Sequence, residues 1–144
     1  KTASAGTRAV IGRPIHPYSA RALQAMGGDP TGFAARQLTA KIASSADLIV
    51  TMTTRHRDVV LQHAPKQLHK TFTLSELARL LSTTDCHNLS DLAAHRPLIG
   101  GECVDIDDPI GESATFHAKV GAQIAELLQP VLEFCFRVSA DAGP

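Results

Sequence analysis

Hydrophobic positions recur along this chain with two periods, and the changes between them mark its elements. In HPYSARALQAMGG, Ala20, Leu23 and Met26 share one side at helical spacing, a proline stands in the first turn and two glycines follow, which predicts a helix over residues 17 to 26. A short helix is expected after Thr39. ADLIVTM is different: Leu48, Ile49 and Val50 form a continuous apolar run of strand length, the pattern of a strand buried on both faces, as in parallel sheets. Thr54 is the expected cap of a helix that runs to about Ala64 and ends at Pro65. KTFTL reads as a second strand, and Ser75 as the start of a helix that turns Leu77, Leu80 and Leu81 inward. Residues 82 to 103 are polar and irregular apart from a possible turn capped by Asn88. Phe116, Val120, Ile124, Leu127, Leu128 and Val131 then fall at helical spacing, predicting a long closing helix from about Ser113 to Phe136, bent or interrupted at Pro130.

Strands alternating with helices predict an α/β domain with a mostly parallel sheet, whose ligands sit outside the carboxyl ends of the strands. The loop after Met52 and the acidic turn VDIDDPIGES are the two candidate rims. A length of 144 residues, 44% of them hydrophobic, suits one domain with its own core. Lys+Arg and Asp+Glu balance at 14 each, so there is no broad cationic field for nucleic acid or an anionic membrane, and any anion site must be local. Neither a membrane-spanning run of about 18 apolar residues nor a signal-peptide pattern is present, which points to a cytoplasmic protein. Cys86, Cys103 and Cys135 have no metal-ligand or Cys-x-x-Cys spacing and read as free thiols. The seven histidines are scattered without ligand spacing, so neither a metal nor a cofactor is expected. Arg55, His56 and Arg57 make a small basic rim after the first strand, a solvated helix face or a steering patch for an anionic substrate.

Several stretches together resemble the low-molecular-weight protein tyrosine phosphatases. They are SAGT at Ser4 to Thr7, GRPIHPYSARALQAMG with GDPTGFAARQLT, ADLIVTM, and DDPIG followed by an amphipathic helix, in the family's order and covering nearly the whole chain. TFTLSELARLL looks most like bacterial members. The resemblance implies a flavodoxin-like, three-layer α/β/α domain and hydrolysis of a phosphate monoester through a phosphocysteine. It places the general acid at Asp108, which would protonate the leaving oxygen of a phosphorylated protein or small aryl phosphate. A phenol has a pKa of about 10, so a proton supplied as the bond breaks lowers the barrier. Pro109 disfavours helix at Asp108 and fixes the turn. The nearby Asp105 and Asp107 would make the cluster a proton reservoir, because like charges oppose one another's ionisation. A calcium loop is excluded, since Pro109 and Ile110 fall on a ligand place and the obligatory glycine place.

The family's nucleophile sits in a Cys-x5-Arg loop, and this sequence has none: six residues after Cys86, Cys103 and Cys135 stand Leu92, Pro109 and Asp141. In the family that loop precedes the SAGT strand, so the expectation is that an N-terminal strand–loop–helix unit of about 30 residues or more stands ahead of Lys1, contributing the sheet's central strand as well as the nucleophile. By the same resemblance, Ser4 would support that loop, and Thr7 to Gly12, with Ala9 and Val10, would wall the substrate cleft together with Ile110. Where relatives often carry aromatic residues, this chain has Ile110 and the aliphatic run Ala9, Val10 and Ile11, and Phe33 stands where a histidine is frequent. Stacking on a phosphotyrosine ring would be lost and only apolar contact kept, so phosphotyrosine preference is left open. Two further readings stand beside this one. An arsenate reductase of the same fold would need relay cysteines closer than Cys86 and Cys103. A non-catalytic module would bind a partner through residues 82 to 103. Oligomeric state is not legible in the sequence.

Overall fold

Two short parallel strands and the helices on their two faces organise the molecule. The structure, a computed structural model, describes residues 1–141. Strand β1 (Ile49–Thr51) pairs in parallel with β2 (Thr71–Thr73), Ile49 opposite Thr71 and Val50 opposite Phe72. The connection is α3 (Thr54–His63) followed by a 3-10 stretch (Pro65–Lys70), the crossover that a parallel pair requires. Around the pair lie α1 (Pro17–Ala25), α2 (Ala40–Ser45), α4 (Leu74–Thr83), α5 (Leu89–His95) and α6 (Ala114–Asp141), with a 3-10 turn at Arg96–Leu98 after α5.

The continuous apolar run around β1 is needed because its side chains alternate between two helix layers. Leu48, Val50 and Met52 join a core built from Phe72, Leu74, Leu77, Leu80, Cys86, Leu92, Val131 and Phe134, contributed by β2, α4, the α4–α5 connection, α5 and α6. Ile49 turns the other way, onto Leu38, Ala43, Val60 and Ala64 of the α2–α3 side. This is the α/β arrangement expected from the sequence.

Several boundaries differ from the sequence reading, each for a local reason. The cap of α3 is Thr53, whose hydroxyl accepts from the His56 N–H at 3.1 Å; Thr54 is already helical. Likewise α4 begins at Leu74, one residue before Ser75, because Thr73 and Glu76 form a reciprocal capping box. The supposedly irregular segment contains α5, closed at its start by the capping box of Asn88 and Asp91 and anchored by the buried Leu92. Helix α6 runs unbroken through Pro130. A mid-helix proline costs about 3 kcal/mol. Val131, the next residue, and Phe134, one turn on, are 4% and 1% exposed in the main core, and burial of about 1.5–3 kcal/mol per large side chain offsets that cost. At the end of α1 the prediction holds: Gly27 takes φ +84°, and the Gly27 and Gly28 N–H groups donate to the Gln24 and Leu23 carbonyls.

Candidate active site

The carboxyl ends of β1 and β2 are roofed by residues 104–106, and this tie places the acidic turn. The Ile106 N–H donates to the Met52 carbonyl at 3.0 Å, directly past the end of β1. Ser75 Oγ, in the first turn of α4, donates to the Val104 carbonyl at 2.6 Å. Asp105 accepts twice from Thr54, from its N–H at 2.8 Å and its Oγ1 at 2.9 Å. A carboxylate at the N-terminus of α3 also meets the positive end of the helix dipole. Asp105 is therefore an anchor that ties the acidic turn to α3, while Asp107 and Asp108 beside it are exposed.

Asp108 sits three residues past the anchor. Its Oδ1 accepts from the Ile110 N–H at 3.0 Å, which closes an Asx turn, and the Glu112 N–H donates to the Pro109 carbonyl at 3.0 Å. Gly111 follows at φ +85°, a backbone conformation that other residues adopt only with strain. Ser113 then caps α6, its Oγ accepting from the Phe116 N–H at 3.2 Å. Proline, Asx turn, positive-φ glycine and helix cap in succession leave the carboxyl little freedom. Ile110 projects from the same turn at 74% exposure.

The N-terminal candidates are held differently. Gly6 forms a parallel bridge with Gln37, and the Gly12 and Ala35 N–H groups donate to the Ala35 and Arg13 carbonyls. Gln37 clamps the loop between them, its Oε1 accepting from the Ala9 N–H and its Nε2 donating to the Thr7 carbonyl, both at 2.9 Å. Ser4 is exposed, and its carbonyl accepts from Arg36 Nε. Val10 stands at the tip of a turn closed by Arg13 N–H to Val10 carbonyl, with Gly12 at φ +78°. Its side chain and that of Ile11 are about 70% exposed. The structure thus places Asp108 and Ile110 on one turn, and Ser4, Ala9 and Val10 on a separate segment bound to residues 35–38. Gln37 and Arg36 escaped the sequence reading because their partners lie 28 and 32 residues away.

Beside the roof, a cleft of about 390 Å³ opens between the starts of α3 and α4, with Thr54, Arg57, Thr73, Arg96 and Cys103 in its lining. Arg57, from the basic rim, is the guanidinium there with only a peripheral partner, Asp58 at 3.5 Å. Arg96 is committed: it makes a two-pronged pair with Glu76 at 2.6 and 3.0 Å, donates to the Leu68 carbonyl, and lies 4.6 Å over the Phe72 ring. Among the described residues, none of the three thiols stands in a cradle of N–H groups. Cys86 is buried, in contact with Thr84 Oγ1 at 3.3 Å and His95 Nδ1 at 3.4 Å. Burial pushes the Cys135 thiol up, away from the thiolate a nucleophile needs. Among the described residues no group of three or more His, Cys, Asp or Glu is disposed to hold a metal, and no helix is long and apolar enough to cross a membrane.

The family model for low molecular weight phosphotyrosine protein phosphatase matches residues 1–91, well over half of the chain. The chain belongs to that family. Solved structures give the same fold. A tyrosine phosphatase of Erwinia amylovora, AmsI, superposes with a TM-score of 0.69 at 21% identity, over 90% of this chain and 71% of its own. Wzb of Vibrio vulnificus, solved with benzylphosphonate, gives 0.67 at 24% identity, over 88% and 74%. The arginine phosphatase YwlE of Geobacillus stearothermophilus gives 0.73 at 21% identity, over 99% and 78%. No curated protein matches the chain. Membership makes this low-molecular-weight phosphatase a phosphoric monoester hydrolase at the general level, with a phosphorylated molecule as substrate.

Proposed function

We propose that this chain carries the acid half of a phosphocysteine phosphatase, with Asp108 as the general acid. The observation that carries the reading is the anchored turn: Ile106 bonded to the end of β1, Asp105 bonded to α3, and Asp108 exposed three residues on, at the rim where open α/β sheets bind ligands. A thiolate attacks phosphorus, the bond to the leaving oxygen breaks, and the Asp108 proton passes to that oxygen. The aspartate then takes a proton from the water that hydrolyses the phosphocysteine, so the acid is restored in each cycle. The nucleophile belongs to a Cys-x5-Arg loop of the full-length protein outside these 144 residues, since none of Cys86, Cys103 and Cys135 has an arginine six positions on. The domain is accordingly a single phosphatase domain that this loop completes, with Ser4 supporting the loop and Ala9, Val10 and Ile110 forming the apolar wall.

That wall is aliphatic, and it supports a phosphorylated side chain held by apolar contact more than a ring held by stacking. A cytoplasmic phosphoprotein or small aryl phosphate is the proposed substrate. Rapid acid quench of the full-length protein with p-nitrophenyl phosphate, followed by intact mass and peptide mapping, tests the mechanism. One phosphoryl adduct on a cysteine outside Lys1 to Pro144 is expected. Turnover without a phosphocysteine, or an adduct on Cys86, Cys103 or Cys135, would overturn it.

A further inference from the structure

His117 is the least expected residue of the acid region. It lies in the first turn of α6, nine positions past Asp108, and is only 2% exposed. Its Nδ1 shares a 2.8 Å hydrogen bond with Ser19 Oγ, in the first turn of α1. The ring stacks on His16 with centroids 4.7 Å apart and planes 12° from parallel, and the Tyr18 ring meets it edge-on at 5.5 Å. His16 is itself fixed, since its Nδ1 accepts from the Tyr18 N–H as the cap of α1. His117 Nε2 is buried with no hydrogen-bond partner among the described residues. A buried polar nitrogen left unpaired is a cost to the fold, and the main core of this protein sits elsewhere. An apolar ring would fill the same place more cheaply.

What the imidazole adds is the bond to Ser19. The turn holding Asp108 is tied upstream to β1 and α3 through Ile106 and Asp105, while downstream it runs through Gly111 and Ser113 straight into the helical turn that holds His117. Below this point α1 and α6 meet through small residues, Gly121 facing Ala22 and the Met26 methyl, contacts that leave rotation and sliding of the helix start undetermined. A directional hydrogen bond at the first turn removes that freedom. We propose that His117 is a positioning residue for Asp108, holding the start of α6 on α1 through Ser19 so that the acid turn is clamped at both ends. The role rests on Asp108 being the general acid.

The test separates positioning from folding. His117→Phe keeps the stack on His16 and Tyr18 and removes both the Ser19 bond and the unpaired nitrogen, so Tm should hold or rise; Ser19→Ala is the milder partner. In the full-length phosphatase, kcat is measured for aryl phosphates whose leaving phenols span a range of pKa. Asp108→Asn should steepen the dependence of kcat on leaving-group pKa, because poor leaving groups most need the proton. His117→Phe and Ser19→Ala should steepen it in the same direction, with a loss of roughly ten-fold for phenyl phosphate and little loss for a nitrophenyl phosphate, as expected when a reacting group is displaced by a fraction of an ångström. KM should change little. Amide exchange at Ile110 and Glu112 should rise while that of β2 stays put. An unchanged slope in both variants, with Asp108→Asn steepened, would overturn the positioning role and leave the acid in place. An unchanged slope in Asp108→Asn would remove both.

Discussion

The two segments that supply candidate site residues are built on different physical principles. Residues 104–113 hang from the main core: their anchors are the end of β1 and the first turns of α3 and α4, behind which Phe72, Leu74, Leu77 and Leu80 are fully buried. Residues 4–13 rest mainly on hydrogen bonds to residues 35–38, Ala5 alone packing on the smaller core, and their largest apolar side chains, Val10 and Ile11, face outward. Helix α1, which follows them, has no fully buried residue. The proposed acid therefore sits on the rigid part of the molecule and the proposed substrate wall on the soft part. Chemistry that needs a proton at a fixed place suits the first, and a wall that must adapt to different side chains suits the second.

Mutations can break this contrast. The largest stability effect is expected from Phe134→Ala, which opens a cavity in the main core and should cost about 3–5 kcal/mol in urea unfolding. A loss no larger than that of Val10→Ala would dissolve the distinction between the regions. Next comes Glu76→Ala, which deletes one half of the α4 capping box and strips Arg96 of its two-pronged partner. With both side chains largely buried, about 2–3 kcal/mol should be lost, and Glu76→Gln, which keeps the cap, should recover part of it. Gln37→Ala sharpens the contrast from the other side. It removes the clamp on Thr7 and Ala9, should cost about 1 kcal/mol, and should speed amide exchange at Ala9 while leaving the β2 amides as protected as before.

The smallest effect is on pH. The backbone N–H of His87 donates to Asp91, and this bond, aided by those of Asn88, holds the Asp91 carboxyl below its ordinary value. A carboxyl whose folded value is depressed adds stability that is fully present above the unfolded carboxylate range and is lost as pH falls through the lowered folded value. Because Asp91 lies at the surface the change is local: protection of the His87 and Asn88 amides, relative to their intrinsic exchange, should fall on acidification. In Asp91→Asn that acid step should vanish, and its persistence would assign the step to another group.

The sequence showed most of the frame. Apolar spacing located α1, β1 and α6, while α3 was placed by its threonine cap and Pro65 and β2 by the short KTFTL stretch. It failed where one residue decides: α5 has Leu89 and Leu92 in a polar background, so only its capping box betrays it, and Pro130 stays helical because Val131 and Phe134 are packed from outside the helix. At the candidate site, the resemblance pointed to Asp108 through its Asp-Pro turn, but not to the bonds that hold that turn. The Ser19–His117 bond spans 98 residues, and no local pattern announces it. The anchoring of Asp105 was missed for a related reason: as sequence it is one of three carboxylates within four residues, whereas its partner Thr54 lies 51 positions away.

The account stands on Asp108. The most direct measurement is steady-state hydrolysis of phenyl phosphate by the full-length phosphatase and its Asp108→Asn variant, with β2 amide protection as the check on folding. Loss of a positioned general acid should lower kcat by about 10²–10⁴-fold with little change in KM. An unchanged kcat in a folded variant would contradict it and remove the acidic turn from the mechanism.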